Sequence, residues 1–142
     1  MAFRGQYEQS LDVKNRLNIP ARFRPAFASG VVLAKGLDPC LQVWTPEAFE
    51  SFTARYVADL DLVANRRREF NRYFGKALDT ELDSANRVTV PAHLLRESSI
   101  EKEVVVVGAL EYVEVWERDA WFAEEERLND GIAESLGATA NA

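Results

Sequence analysis

Residues Leu11 to Arg24 read LDVKNRLNIPARFR, and residues Leu82 to Arg96 read LDSANRVTVPAHLLR. At an offset of seventy-one, Leu11, Asp12, Asn15, Arg16, Pro20 and Ala21 recur as Leu82, Asp83, Asn86, Arg87, Pro91 and Ala92. Downstream the offset becomes seventy-two: Val32 to Gly36 (VLAKG) answers Val104 to Gly108 (VVVVG), Val43-Trp44 answers Val115-Trp116, and Ala48-Phe49 answers Ala120-Trp121. Two copies of one unit of roughly seventy residues therefore make up most of the chain, so its function must be one that a pseudo-symmetric pair of units can perform.

Each copy of Leu-Asp-x-x-Asn-Arg carries a turn signal. The Asp folds its side chain onto nearby backbone amides, and the Asn tolerates the left-handed conformation that a tight reversal demands. The flanking segments are rich in β-formers, with strands expected at Gln6 to Leu11 and Leu17 to Ile19, and the Arg projects from just past a small rigid tip. Pro20 and Pro91 end the returning strands and open short helices, since proline's fixed φ suits the first helical position. Val31 to Ala34 and Val104 to Val107 are apolar runs that predict strands buried on both faces. Leu41 to Trp44 and Val113 to Trp116 alternate as half-buried strands. Each unit thus reads strand, turn, strand, short helix, hairpin.

Thr45-Pro46-Glu47 predicts a helix from Pro46 to about Ala58, with Thr as cap and Phe49, Phe52, Tyr56 and Leu60 on one side. After a break near Asp59-Leu60-Asp61, a second helix is expected from Leu62 to Phe74, stopped by Gly75. It carries Arg66, Arg67, Arg68 and Arg72. That run is either a solvated, salt-bridged face or a contact with a neighbouring subunit or phosphates. A last helix is expected from Asp119 to Leu128, followed by a flexible tail. The expected organisation is a first unit with linker helices over 1–75, a second unit over 76–128 and the tail over 129–142.

Units this small are marginal alone, so the halves are expected to share a core. No apolar run approaches the twenty or so residues needed to cross a bilayer, and Met1-Ala2-Phe3-Arg4 lacks a signal-peptide core, so a cytoplasmic location is expected. Cys40 is the only cysteine, which excludes an internal disulfide and a cysteine-rich zinc site; it reads as a small core hydrophobe. The net charge of −6 is unevenly spread. Residues 97–142 hold three basic and twelve acidic side chains, whereas the first thirty-six hold six basic and two acidic. Positive charge is gathered where the repeated motif is.

Phe3 to Gly5, Leu11 to Arg24, the degenerate repeat Leu82 to Arg96, and Lys102 to Trp116 stand in an order and duplication that together resemble the MraZ family over roughly residues 1–122. The resemblance implies an α+β fold in which two tandem pseudo-symmetric AbrB/MazE-like units form a double-split β-barrel with flanking helices. It also implies a DNA-binding transcriptional regulator, a repressor acting on the division and cell-wall gene cluster that includes its own gene. Such a protein assembles into ring-shaped homo-oligomers on short tandem promoter repeats and associates with the nucleoid. Where the family has Gly in the turn, this chain has Asn15 and Asn86, the best non-glycine substitutes for a left-handed position.

By this resemblance Arg16 and Arg87 are the expected base readers, since a guanidinium on a rigid turn can pair bidentately with guanine O6 and N7. Lys14, Arg4, Arg22, Arg24 and Arg96 are expected phosphate contacts, and Asn15 and Asn86 could touch base edges. Asp12 and Asp83 are assigned to the turn. His93, at the position of Arg22, reads as a surface or phosphate contact. The partners expected are double-stranded DNA and further copies of the chain, with no cofactor, metal, membrane or small-molecule substrate. An enzymatic reading would pair Asp12 with Asp83 across the pseudo-twofold, but solvated carboxylates beside arginines lack raised pKa values, and no nucleophile or phosphate loop accompanies them. An antitoxin-like adaptor that holds a partner chain is the other alternative. Its usual signature is a long, apolar C-terminal extension, whereas the segment after Leu128 offers only Ile132 and Leu136 as large apolar groups.

Overall fold

The computed structural model describes residues 2–59 and 64–140, with side chains at 64, 65 and 138–140 excepted. The first copy supplies β1 (Gln6–Ser10), β2 (Arg16–Asn18), a 3-10 helix (Arg24–Phe27), β3 (Val31–Lys35), β4 (Leu41–Trp44), α1 (Pro46–Asp59) and α2 (Ala64–Phe74). The second supplies β5 (Leu78–Thr80), β6 (Arg87–Thr89), α3 (Ala92–Glu97), β7 (Glu103–Gly108), β8 (Val113–Glu117) and α4 (Arg118–Ala140). The expected break at Leu60-Asp61, the place of Leu60 and the start of the second helix at Leu62 lie outside the described residues.

The two copies are interleaved. The main sheet has six strands in the order β1-β7-β8-β4-β3-β5, and a separate two-stranded ribbon pairs β2 with β6. Exchanging each strand for its counterpart in the other copy reverses the order and leaves it unchanged, so a pseudo-twofold axis runs between β4 and β8. Each copy's first strand is delivered to the other copy's hairpin: Gln6 lies opposite Val107, and Val31 opposite Thr80. The sheet ends at β1 and β5, and no ladder closes it into a barrel among the described residues.

Alternation along the apolar strands explains the layers. Val31 and Leu33, Leu41 and Val43, Val104 and Val106, and Val113 and Val115 point into one shared core with Leu17, Ile19, Val88 and Val90. The opposite faces of the same strands are covered separately. Val32, Ala34 and Trp44 lie under α1 with Phe49 and Phe52, while Val105 and Trp116 lie under α4 with Trp121 and Cys40. The runs predicted to be buried on both faces are so buried, except that Val107 at the end of the second is only partly covered. Both copies fasten their tryptophan alike: Trp44 Nε1 donates to Gln42 Oε1 at 3.0 Å and Trp116 Nε1 to Glu114 Oε1 at 3.1 Å. Cys40 is fully buried, and burial first, then the Glu114 carboxylate, push its thiol far above the usual range.

Local chemistry accounts for where the copies differ. The short helix is a 3-10 turn in the first copy and α-helical in the second. Pro25 has no N–H to donate back to Ala21, whereas Arg96 at the corresponding position continues α3. α1 begins as expected, with Ala48 N donating to Thr45 Oγ1 at 3.2 Å. The expected end of regular structure near Leu128 is corrected: α4 continues to Ala140. Ala, Glu and Leu, good helix formers, outweigh Gly131 and Gly137, which each cost only about 1 kcal/mol relative to Ala. Gly108 is required by close approach, since a Cβ there would lie 2.4 Å from the Phe3 carbonyl carbon. No helix among the described residues is long and apolar enough to cross a membrane.

Candidate nucleic-acid interface

The repeated motif forms two tips on the β2–β6 ribbon. In the first, Asp12 Oδ1 accepts from the backbone N–H groups of Lys14 and Arg16, both at 2.9 Å. Asp12 Oδ2 accepts from Arg16 Nε at 2.6 Å, and Asn15 N donates to the Asp12 carbonyl at 3.0 Å. In the second tip, Asp83 Oδ1 accepts from Ala85 N and Arg87 N, both at 2.9 Å, and Oδ2 from Arg87 Nε at 3.1 Å. Asn15 and Asn86 sit at φ 58° and 61°, the left-handed conformation the turn requires. The carboxyl pKa of Asp12 is lowered chiefly by the Arg16 amide, and that of Asp83 chiefly by the Arg87 amide. Both carboxylates are thereby committed to the turn.

The tips also hold one another. Ile19 N donates to the Asn86 carbonyl at 3.1 Å, and Val90 N to the Asn15 carbonyl at 2.9 Å, so each left-handed residue receives the end of the other copy's strand. Arg87 Nη1 lies 3.9 Å from Asp12 Oδ2, the oxygen that Arg16 Nε also uses. Two guanidinium groups from different copies therefore share one carboxylate oxygen. Leu17 and Val88 face the core from the ribbon's underside and are fully buried, which fixes its height. Truncating Leu17 to Ala would cost about 2–5 kcal/mol, as buried leucine deletions do, and Val88 to Ala would cost less because fewer carbons are removed.

Arg16 spends Nε on Asp12, which leaves its Nη1 and Nη2 edge for a ligand; Arg87 is held through Nε by Asp83 and also has Nη1 beside Asp12. A planar two-donor edge on an immobile base matches the paired acceptors of a guanine edge or of a phosphate. Lys14 is exposed at the first tip. Arg22 is exposed in the turn after β2, and Arg96 and His93 are exposed on α3. Arg24 has a further task, since its Nε donates to the Ile19 carbonyl at 2.8 Å and braces the end of β2. It also lines a cleft with Asp83 and Asn86, beside the second tip. Arg4 is not brought to the tips: it precedes β1 at the end remote from the turn, about 17 Å of strand away.

Sequence reasoning did not find Val13, which stands 98% exposed at the crest of the first tip, where Ser84 occupies the second. Nor did it find Asn18 and Thr89, which share the outward face of the ribbon with the two arginines. The period-two alternation around buried Leu17 and Val88 was the available signal. Acidic α4 packs on the face of β7 and β8 opposite the one beneath the ribbon, so the six acidic residues it carries, half of those in 97–142, are on the side away from the tips.

This paired geometry coincides with a duplicated family match. The family described as "MraZ protein, putative antitoxin-like" matches the chain twice, over residues 2–73 and 73–136. The chain belongs to the MraZ family. It is 34% identical over 138 residues to "Transcriptional regulator MraZ" of Mycoplasmoides gallisepticum, spanning 94% of this chain and 96% of the relative. The Heliobacterium modesticaldum protein of the same name is 37% identical over 138 residues, with the same coverage of 94% and 96%. The Thermoanaerobacter sp. (strain X514) protein, again so named, is 38% identical over 118 residues, 82% of each chain. Both matched copies contain one Asp-locked arginine tip.

Proposed function

We propose that this MraZ chain is a transcriptional regulator that binds double-stranded DNA through the β2–β6 ribbon. The observation that carries the reading is the pair of arginines clamped at Nε, Arg16 with its Nη edge turned outward and Arg87 with one Nη beside the Asp12 carboxylate and the other available. A two-stranded ribbon fits the major groove, and a bidentate arginine–guanine pair supplies about 1–3 kcal/mol of discrimination. Lys14, Arg22 and Arg96 contact phosphates, Arg24 does so beside the second tip, and Arg4 reaches only a separate stretch of backbone. Asn15 and Asn86 serve the turn first and approach base edges only through their side-chain amides. The relatives' shared name, transcriptional regulator, supports the same class of function.

Because the two guanidinium groups meet over one carboxylate, a single chain spans only a few base pairs at about 3.4 Å each. Useful specificity then requires several chains. The finer reading is a ring-shaped homo-oligomer on tandem promoter repeats about one helical turn apart, acting as a repressor of the division and cell-wall gene cluster. In the same reading, the six-stranded sheet and the ribbon together are the double-split barrel of the AbrB type.

In-vitro selection of random duplex DNA tests this, run beside Arg16→Ala at the same salt. The wild type is expected to enrich a short element recurring at about ten base pairs, and the variant to lose it. Equal, salt-steep binding by both proteins with no enrichment would remove Arg16 as a base reader. The antitoxin-like adaptor remains the rival, favoured by the exposed apolar positions Leu128, Ile132 and Leu136 of α4. Recovery of a stoichiometric small protein in place of DNA would put it first.

A further inference from the structure

The DNA-binding reading leaves two surfaces on the outer side of the sheet unused. The first is a groove of about 820 Å³ walled by Trp44, Phe52, Tyr56, Phe70, Phe74 and Tyr112. Its rings are already layered, with Trp44 and Tyr112 centroids 4.5 Å apart and Tyr56 and Phe70 5.4 Å apart. Lys35 and Arg66 also line it, as does Leu37, which is 85% exposed. The second surface is a stripe on α4 formed by Leu128, Ile132 and Leu136. Spacing of four places them on one helix face, and Ile132 and Leu136 are 57% and 65% exposed.

The duplication says what the stripe lacks. α4 follows β8 as α1 follows β4, and Trp121 packs on Trp116 as Phe49 packs on Trp44. Along α1 the next apolar positions, Phe52 and Tyr56, are met by Phe74 and Phe70 of α2. In the second copy Leu128 stands in the place of Tyr56, and its stripe continues outward exposed. Charge points the same way. α2 carries four arginines and one glutamate, while α4 carries six acidic residues against two arginines.

We infer that the C-terminal half of α4 from a second copy of this chain lies in the aromatic groove beside α2, with Leu128, Ile132 and Leu136 against the rings. This rests on the assembly part of the reading above and names its surface. Groove and stripe are different patches, so the contact is head-to-tail, and repetition of it gives either a closed ring or an open filament. Both patches lie on the side of the sheet away from the ribbon, so assembly leaves every pair of tips free for DNA. The acidic residues of one chain neutralise the arginines of the next, which assigns the Arg66 to Arg72 run to subunit contact in preference to phosphates.

Sedimentation of the full chain and of two surface variants tests it. Ile132→Lys with Leu136→Lys spoils the stripe, and Leu37→Glu spoils the mouth of the groove; all three positions are exposed, so folding is spared. Each variant alone is expected to lose at least tenfold in self-association, while an equimolar mixture recovers a one-to-one dimer through the single intact pair of surfaces. That rescue is specific to a head-to-tail contact. If both variants assemble as the wild type does, the ring is built elsewhere: the inference falls and the ring reading stands. If the wild type itself is monomeric at micromolar concentration, both fall. If the variants dissociate but their mixture does not pair, the contact is not between these two surfaces.

Discussion

The two tips share one scaffold and differ in what they display. Both have an Asp capping two amides and an arginine Nε, and an Asn near φ 60°. The first presents Val13 and Lys14, the second Ser84 and Ala85. The first clamp is also tighter, at 2.6 Å against 3.1 Å, and Asp12 alone is approached by both arginines. The residues that make the turn are the ones duplicated, whereas those at its crest have diverged. On the proposed DNA-binding reading, a pseudo-symmetric protein would meet an asymmetric element with two tips of one build.

The largest effects should come from the arginines. Arg16→Ala and Arg87→Ala are each expected to remove about 1–3 kcal/mol of discrimination, and the double variant to bind all duplexes alike. Competition with a scrambled duplex at fixed salt measures this. Unchanged preference in Arg87→Ala would mean that only the first tip reads bases.

Next in size are the clamps. Asp12→Asn should weaken operator binding more than Asp83→Asn, roughly tenfold for the first, because Asp12 positions a guanidinium from each copy. The carboxylates also set a pH dependence whose sign follows from their lowered pKa values. Each carboxylate's contribution is complete above the ordinary value of 3.8 and is lost as pH falls through the lower value of the folded chain. A carboxyl-carbon NMR titration should place both midpoints below 3.8, with the Arg16 and Arg87 amide signals moving in step. A midpoint at or above 3.8 would contradict the turn geometry.

A smaller difference separates Lys14 from Ala85. Lys14→Ala should reduce the slope of log affinity against log salt by about 0.9 per contact, and Ala85→Lys should raise it by as much, with sequence preference unchanged in both. A change of preference in either would make Lys14 a base contact.

Much of this comparison was legible in the sequence, for physical reasons. Asp three residues before Asn has few uses other than a capped reversal, and Pro20 and Pro91 can only end their strands, so local chemistry announced the tips. The interleaving was not legible. β1 pairs with β7 nearly a hundred residues later, and nothing in Gln6–Ser10 distinguishes that partner from the nearby β3. The regulatory reading came from a resemblance that the duplicated family match bears out. Arg24 looked like another surface cation because its carbonyl partner, Ile19 O, is supplied by backbone geometry that no residue type reports. α4 was cut short because small and polar residues predominate after Asn129, yet nothing crowds Gly131 or Gly137 and the Ala, Glu and Leu around them favour the helix.

The smallest expected effect tests the scaffold itself. Asn15 and Asn86 occupy a left-handed conformation that costs most L-residues about 1–2 kcal/mol, a cost Asn largely escapes and Gly does not bear. Asn→Ala at either tip should therefore lower unfolding stability by about 1–2 kcal/mol. Asn→Gly should leave it within about 1 kcal/mol, since relief of the turn is offset by greater freedom of the unfolded chain. Denaturant midpoints of the four single variants measure both. Because each Asn carbonyl accepts the end of the other copy's strand, the two Ala substitutions should also fail to add when combined, the double variant costing less than the two singles together. Strict additivity would mean that the tips fold independently, and that the sharing of Asp12 by Arg16 and Arg87 does not couple them.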